Sequence, residues 1–215
     1  MRKSTSIATG TVLAASGTVI AYPLLLRRWC LTWGARPDEV SGKLPGDELL
    51  PKPGLVSTRA VQVDAPASAI WPWLVQMGPG RGGAYTYDWI ENLFGLGMHS
   101  ADQILPRYQH LQVGDAQHLG QRGPLLRVAV LDPERALVFR SDDGNWVWAF
   151  SLVPEGTGTR LISRNRIAAR GGPLPVRLFN LLVMEPGSLI MERKMLLGIK
   201  QRAEHLARQA ETQPL

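Results

Sequence analysis

The chain has 215 residues, 45% of them hydrophobic, and a formal charge of +6. That length accommodates one domain with its own core plus an appendage, and the single cysteine, Cys30, excludes an intramolecular disulfide framework. Five of the 24 basic residues (Arg2, Lys3, Arg27, Arg28 and Arg36) precede the first acid, leaving 19 against 18 acidic residues, which excludes a nucleic-acid footprint on the main body.

Residues 1–28 read as a membrane anchor. From Ile7 to Leu26 the chain runs twenty residues without a charge, about the length a helix needs to cross the hydrocarbon core. Basic residues close both ends, and Tyr22, Trp29 and Trp33 suit an interfacial aromatic belt. A cleaved signal peptide and a buried core helix compete with this reading. Against the first stands the length of the run without a clean A-x-A site, and against the second stand the flanking arginines. Gly10, Ala14, Gly17 and Ala21 form a small-residue stripe suited to helix–helix contact in lipid. Basic residues on both sides leave the orientation undecided.

Residues 29–57 form a connector punctuated by Pro37, Pro45, Pro51 and Pro53. The main domain, 58–210, opens on the alternating strand "STRAVQVDAP". "PASAIWPWLVQM" follows with helical spacing of Ile70, Trp73, Leu74 and Met77. Pro72 is tolerated in a first turn, which predicts a helix start close to Ile70. A chain beginning near Trp33 is expected to retain the fold.

"GPGRGGAYTYDWIEN", 78–92, satisfies G-x-G-x-x-G. A dinucleotide site needs a buried strand before the glycines and a helix directly after them. Here a helix precedes, Pro79 interrupts, and no Walker lysine follows. The match is accidental. Gly78 reads as a helix C-cap, and Gly80, Gly82 and Gly83 as a hinge at a cavity mouth. Nothing else implies a cofactor: the four histidines form no H-x-H or H-E-x-x-H pair, and no G-x-S-x-G elbow is present.

"YTYDWIENLFG" has helical spacing. "LLRVAVLDP", "RALVFRS", "NWVWAFSLVP" and "TRLISRNRI" read as antiparallel strands separated by turn signals. Trp146, Trp148, Phe150 and Leu152 share a face at period two. Residues 187–211 form a long helix with a stripe at Leu189, Leu196, Ile199, Ala203 and Leu206.

This order, with "VQVDAPASAIWPWLVQMG", "GAYTYDWIEN", "VGD" at 113–115 and "MERKMLLGIKQRAE", resembles the SRPBCC superfamily over about residues 32–208. The superfamily includes START-related lipid binders, pollen-allergen-like proteins and polyketide cyclase/dehydrases. The resemblance implies an α+β helix-grip fold, a curved antiparallel sheet wrapped around the long helix and enclosing an apolar cavity. It does not imply one chemistry.

Candidate residues follow from side-chain type and place. Tyr85, Tyr87, Asp88 and Trp89 sit where the fold closes one end of its cavity. A tyrosine hydroxyl can polarise a carbonyl and a partly buried aspartate can act as a base for enolisation. The competing reading is packing for Tyr87 and Trp89, and helix capping for Asp88. Glu192 lies inside the apolar stripe, where a carboxylate needs a partner or a raised pKa. Arg164 or Arg166 could pair with it, unless it reaches solvent at the stripe's edge. Trp148, Phe150, Met191, Met195, Leu196 and Ile199 read as core or as the lining of an adaptable cavity.

The expected function is a membrane-anchored binding protein for a hydrophobic small molecule or lipid. The alternative is a polyketide cyclase/dehydrase-like enzyme using Tyr85, Asp88 and Glu192. A structural partner domain with a solid core is the third class.

Overall fold

In a computed structural model, which describes residues 22–93, 95–119, 123–169 and 171–212, period-two alternation becomes a sheet around a helix. The strands are β1 (Leu55–Val63), β2 (Ala116–His118), β3 (Leu125–Asp132), β4 (Ala136–Ser141), β5 (Trp146–Glu155) and β6 (Gly158–Ile167). They form one antiparallel sheet in the order β1-β6-β5-β4-β3-β2. A meander thus carries its last strand onto the first. Ahead of β1 lie two short helices, α1 (Arg27–Leu31) and α2 (Pro37–Ser41). Between β1 and β2 come α3 (Ala67–Val75) and α4 (Asp88–Leu93), and after β6 come α5 (Leu174–Phe179) and the long α6 (Glu185–Thr212). This is the α+β helix-grip arrangement. Of the expected anchor, residues 7–21 lie outside the described residues, including Gly10, Ala14, Gly17 and Ala21. Tyr22–Leu26 is a wide helical turn leading into α1.

Register assigns the two faces. Across the sheet, Ser57, Asn165, Trp148, Phe139 and Val128 stand in one row; Arg59, Ser163, Phe150 and Leu137 stand in the next. Adjacent rows this far apart along the strand share a face, because side chains alternate with period two. That face holds α6. Phe150, Leu126, Leu137, Leu161, Leu196 and Ile199 are fully enclosed in the main core. Burying such side chains stabilises the fold by roughly 1.5–3 kcal/mol each. A bulge between Val128 and Val130 switches parity in β3, so Val128 and Leu131 both join this core while Val130 packs on the other side.

The opposite face is covered by the connector. Leu49 and Leu50 pack on Val138, Val147 and Ala149. Arg160, Arg164 and Arg166 leave β6 on that side and hold the connector through Glu39 (2.6 Å) and Asp47 (2.7 and 3.2 Å). Residues 37–50 therefore form a second layer tied to the sheet. Gly46 (φ 90°) makes this approach feasible, since a Cβ there would stand 2.6 Å from Val138 Cγ1.

Two local expectations change. Helix α3 starts at Ala67, three residues before Ile70, and carries Pro72 in its interior. The proline forfeits one helical N–H bond, which burial of Ile70, Trp73 and Leu74 on a nine-residue helix outweighs. The helix is capped at Gln76 rather than Gly78. Gly78 instead closes a tight loop with Gly83 through bonds of 2.9 and 3.2 Å.

Candidate functional site

The long helix offers the inner face one acid, Glu192, and the sheet meets it with three donors. Arg59 of β1 donates from Nη1 to Glu192 Oε2, and Ser163 of β6 donates its hydroxyl to Oε1 at 2.5 Å. Asn165 donates its amide to the same oxygen at 3.2 Å. Arg59 is itself fully buried and donates from Nε to Cys30 O (3.0 Å) and from Nη2 to Ser188 Oγ (3.0 Å). Burial pushes the Glu192 carboxyl above its ordinary range, an effect that the Arg59 charge and the Ser163 bond oppose.

Aromatic rings extend from this cluster. Trp148 donates its indole N–H to Ser163 Oγ at 3.0 Å, and Trp146 donates to Asn165 Oδ1 at 2.8 Å. The two indoles stack with centroids 5.8 Å apart and planes 15° from parallel. Trp148 continues inward onto Phe150 at 4.9 Å. Both tryptophans are half-buried, whereas Phe150 is enclosed. The result is a flat apolar platform, partly open to solvent, whose polar edge converges on one carboxyl.

The predicted residues thus separate. Glu192, Trp148 and Phe150 come together, while Met195, Leu196 and Ile199 are enclosed in the core beside them and Met191 is half-buried. Arg164 does not pair with Glu192. Its place on β6 has the opposite parity to Ser163, and it donates to Thr58 Oγ1, Gly42 O and Asp47 on the connector side. Nor does Glu192 reach solvent: it is 8% exposed.

The acid–aromatic cluster is engaged elsewhere. Tyr85 donates its hydroxyl to Trp73 O at 2.9 Å and lies under the Arg202 guanidinium, 4.9 Å from its ring. Burial raises its pKa. Asp88 accepts from the Ser100 backbone N–H (2.8 Å) and hydroxyl (2.6 Å), fixing the loop that follows α4. Trp89 is 70% exposed, and Tyr87 lies beneath Lys194 with Nζ 5.7 Å from its ring. Tyr85, Asp88 and Glu192 share no hydrogen-bond partner. Of the expected hinge glycines, only Gly80 has open space. A Cβ on Gly82 would meet Gln76 at 2.8 Å, and one on Gly83 would meet the His99 backbone at 2.7 Å. Two of the three are packed, so the loop is pinned.

Arg59, Ser163 and Asn165 were not among the sequence candidates. Arg59 shares parity with Val61 and Val63, and Ser163 and Asn165 share it with Leu161, so alternation alone places all three on the inner face. A cavity of about 350 Å³ lies on the other side of the sheet, between the connector and β6, lined by Lys43, Asp47, Thr58, Arg164 and Arg166 among others. Arg164 and Arg166 already bond to Asp47 and to connector carbonyls there, which gives them a structural role.

No family model matches the chain, and no curated protein does. Solved structures similar to it include the KanY protein, with a TM-score of 0.46 and 16% identity over 70% of this chain and 97% of that one. A protein from Mesorhizobium loti gives a TM-score of 0.41 at 16% identity, covering 70% of this chain and 98% of its own. A polyketide_cyc-like protein from Corynebacterium glutamicum gives 0.34 at 17% identity, covering 76% and 94%. At these identities and scores no residue role passes from them to this chain.

Proposed function

We propose that this chain is a membrane-tethered binding protein for a hydrophobic small molecule with a flat or conjugated portion and one polar group. The observation that carries this reading is the Trp146–Trp148 stack. Two large aromatic rings are left half-buried, and both indole N–H groups are tied to side chains that converge on Glu192. A flat ligand face stacks on such rings with an offset or edge contact worth roughly 0.5–1.5 kcal/mol beyond area burial. A polar group on the ligand finds Asn165 at the platform's edge, backed by the buried Glu192. The tether is the uncharged run Ile7–Leu26, closed by Arg27 and Arg28.

Binding accounts for the polar residues better than cyclase- or dehydrase-type turnover does. Proton abstraction needs a base within hydrogen-bond reach of the substrate. Asp88 is occupied by Ser100, the Tyr85 hydroxyl by a backbone carbonyl, and Glu192 by three donors. Native mass spectrometry of gently extracted protein tests the proposal. A co-purifying apolar molecule of defined mass is the expected result; protein free of adducts, with no uptake from an added lipid and polyketide panel, argues for the structural role.

A further inference from the structure

We infer that the outer face of the 174–190 helical segment, together with α1, lies on a lipid bilayer, so that the platform end of the grip abuts the membrane. The inference rests on the tether proposed above and adds a second, independent contact.

Nine of the fourteen large hydrophobics exposed among the described residues fall in two short stretches, 25–29 and 174–190. Val176, Phe179, Val183 and Ile190 recur at helical spacing and are each about half exposed, from 48% to 55%. The opposite side of the same segment is accounted for. Leu181, Leu182 and Leu189 pack with Tyr22 and Cys30, and Glu185 receives Arg27 at 2.8 and 3.0 Å. The segment therefore has an inner face that grips α1 and an apolar outer face that no other described residue covers. Leu26, just before α1, and Trp29 of α1, 54% and 56% exposed, extend that apolar surface.

Charge and chain continuity select the occupant. Within 22–37 and 171–191 the one acid, Glu185, is paired with Arg27, while Arg28 and Arg177 are exposed. Arg193 and Lys194 are exposed one turn beyond Ile190. An apolar surface rimmed by unopposed cations matches an anionic lipid interface, with Trp29 at headgroup depth. The twenty-residue uncharged run ends at Leu26, on the border of this surface, so a tether through that run delivers the patch to the bilayer. Helix Leu174–Ala210 is long and apolar enough to cross a membrane by length and composition, but Met195, Leu196, Ile199 and Ala203 are enclosed against the sheet. Only its 174–190 portion is free to meet lipid, and that portion lies on the bilayer.

The test uses the full chain with Cys30→Ser, reconstituted in vesicles of phosphatidylcholine with about one-third phosphatidylglycerol, carrying an environment-sensitive fluorophore at Phe179→Cys or Val183→Cys. Val153→Cys, 46% exposed on β5 and outside the patch, is the control. Shallow brominated lipids should quench positions 179 and 183 at least twofold and leave position 153 unchanged, with iodide showing the reverse order. Omitting phosphatidylglycerol should weaken the quenching. Vesicle flotation separates the two readings. A chain that floats while 179 and 183 stay as open to iodide as 153 overturns the patch and leaves the tether standing. A chain that does not float overturns both. Energy transfer between differently labelled copies that persists on lipid dilution, with no bromolipid quenching, would assign the face to a second copy and overturn the inference.

Discussion

Arg59 and Glu192, 133 positions apart in sequence, form an ion pair buried between the first strand and the long helix, with side chains 1% and 8% exposed. Such a pair costs several kcal/mol per ion in desolvation and is held by the geometry around it, here Ser163, Asn165, Ser188 and the Cys30 carbonyl. Removing one partner is expected to be far worse than removing both. Arg59→Met should destabilise by about 3–5 kcal/mol at neutral pH, and adding Glu192→Gln should recover most of that loss. Urea midpoints of the two variants measure the difference.

The same pair gives a pH signature. The Glu192 carboxyl is pushed up by burial, and Arg59 opposes that shift. A carboxyl with a folded-state pKa above its unfolded value binds more protons when folded, so its contribution to stability falls as pH rises through the folded pKa and is regained on acidification. Without Arg59 the shift grows. The cost of Arg59→Met should therefore shrink as pH falls from 7 toward the ordinary carboxylate range. A cost that is flat with pH would mean Glu192 is already neutral at pH 7.

These residues also mark how much was legible beforehand. Strand parity, the helix stripe and the turn signals are local, so the main strands and the long helix are legible in the sequence, whereas the stripe alone leaves Glu192 open between the core and its edge. Arg59 obeys the same parity rule, but a charge within a strand points to the solvent side. Its partner lies on another element, and pairing is not a local property. The mistaken Arg164–Glu192 pair fails on that rule too, since 164 and 163 point to opposite faces. What parity could not supply was the fold of residues 37–50, whose carbonyls and carboxylates engage Arg164 and Arg166. Tyr85 was likewise hidden: a tyrosine at φ 58° is held by tertiary contacts that outweigh its backbone preference.

Those contacts yield a matched glycine test on α6. A Cβ on Gly198 would stand 2.7 Å from Tyr85 O and 3.0 Å from Tyr85 Cβ, whereas one on Gly187 meets nothing within 4 Å. Gly198→Ala should destabilise by roughly 1–3 kcal/mol through overpacking against the Tyr85 backbone. Gly187→Ala should be neutral or stabilising by up to about 1 kcal/mol from helix propensity. Thermal melts of the two variants decide, and equal effects would mean the 84–85 loop is not fixed on the helix.

Contacts made by Tyr22, Arg27 and Cys30 argue for an N-terminal boundary of the folded unit upstream of the expected Trp33. Arg59 Nε donates to Cys30 O, and Glu185 is held by Tyr22 and Arg27. A chain beginning at Trp33 loses these partners and leaves buried groups unsatisfied, each costing about 1–3 kcal/mol. It should unfold at lower urea than a chain beginning at Tyr22. Coincident midpoints would show that α1 is dispensable.

Ligand binding should be sensitive at the platform and indirect in the core. A panel of fatty acids, polyenes and aromatic polyketides is expected to quench tryptophan emission saturably, and Trp148→Phe should remove the larger part of the signal. Trp146→Leu takes away one ring of the stack, so affinity should fall roughly 2- to 10-fold, the range an aromatic contact of about 0.5–1.5 kcal/mol allows. Leu196 stands in the opposite situation. It is fully enclosed with Phe150, Met195 and Ile199, so Leu196→Trp overpacks and should cost about 1–3 kcal/mol of stability. Affinity lost with Leu196→Trp should track that destabilisation. If instead Leu196→Trp abolished binding with stability intact while Trp146→Leu bound normally, the ligand would sit between sheet and helix at the centre of the grip, and the platform would be a surface feature only.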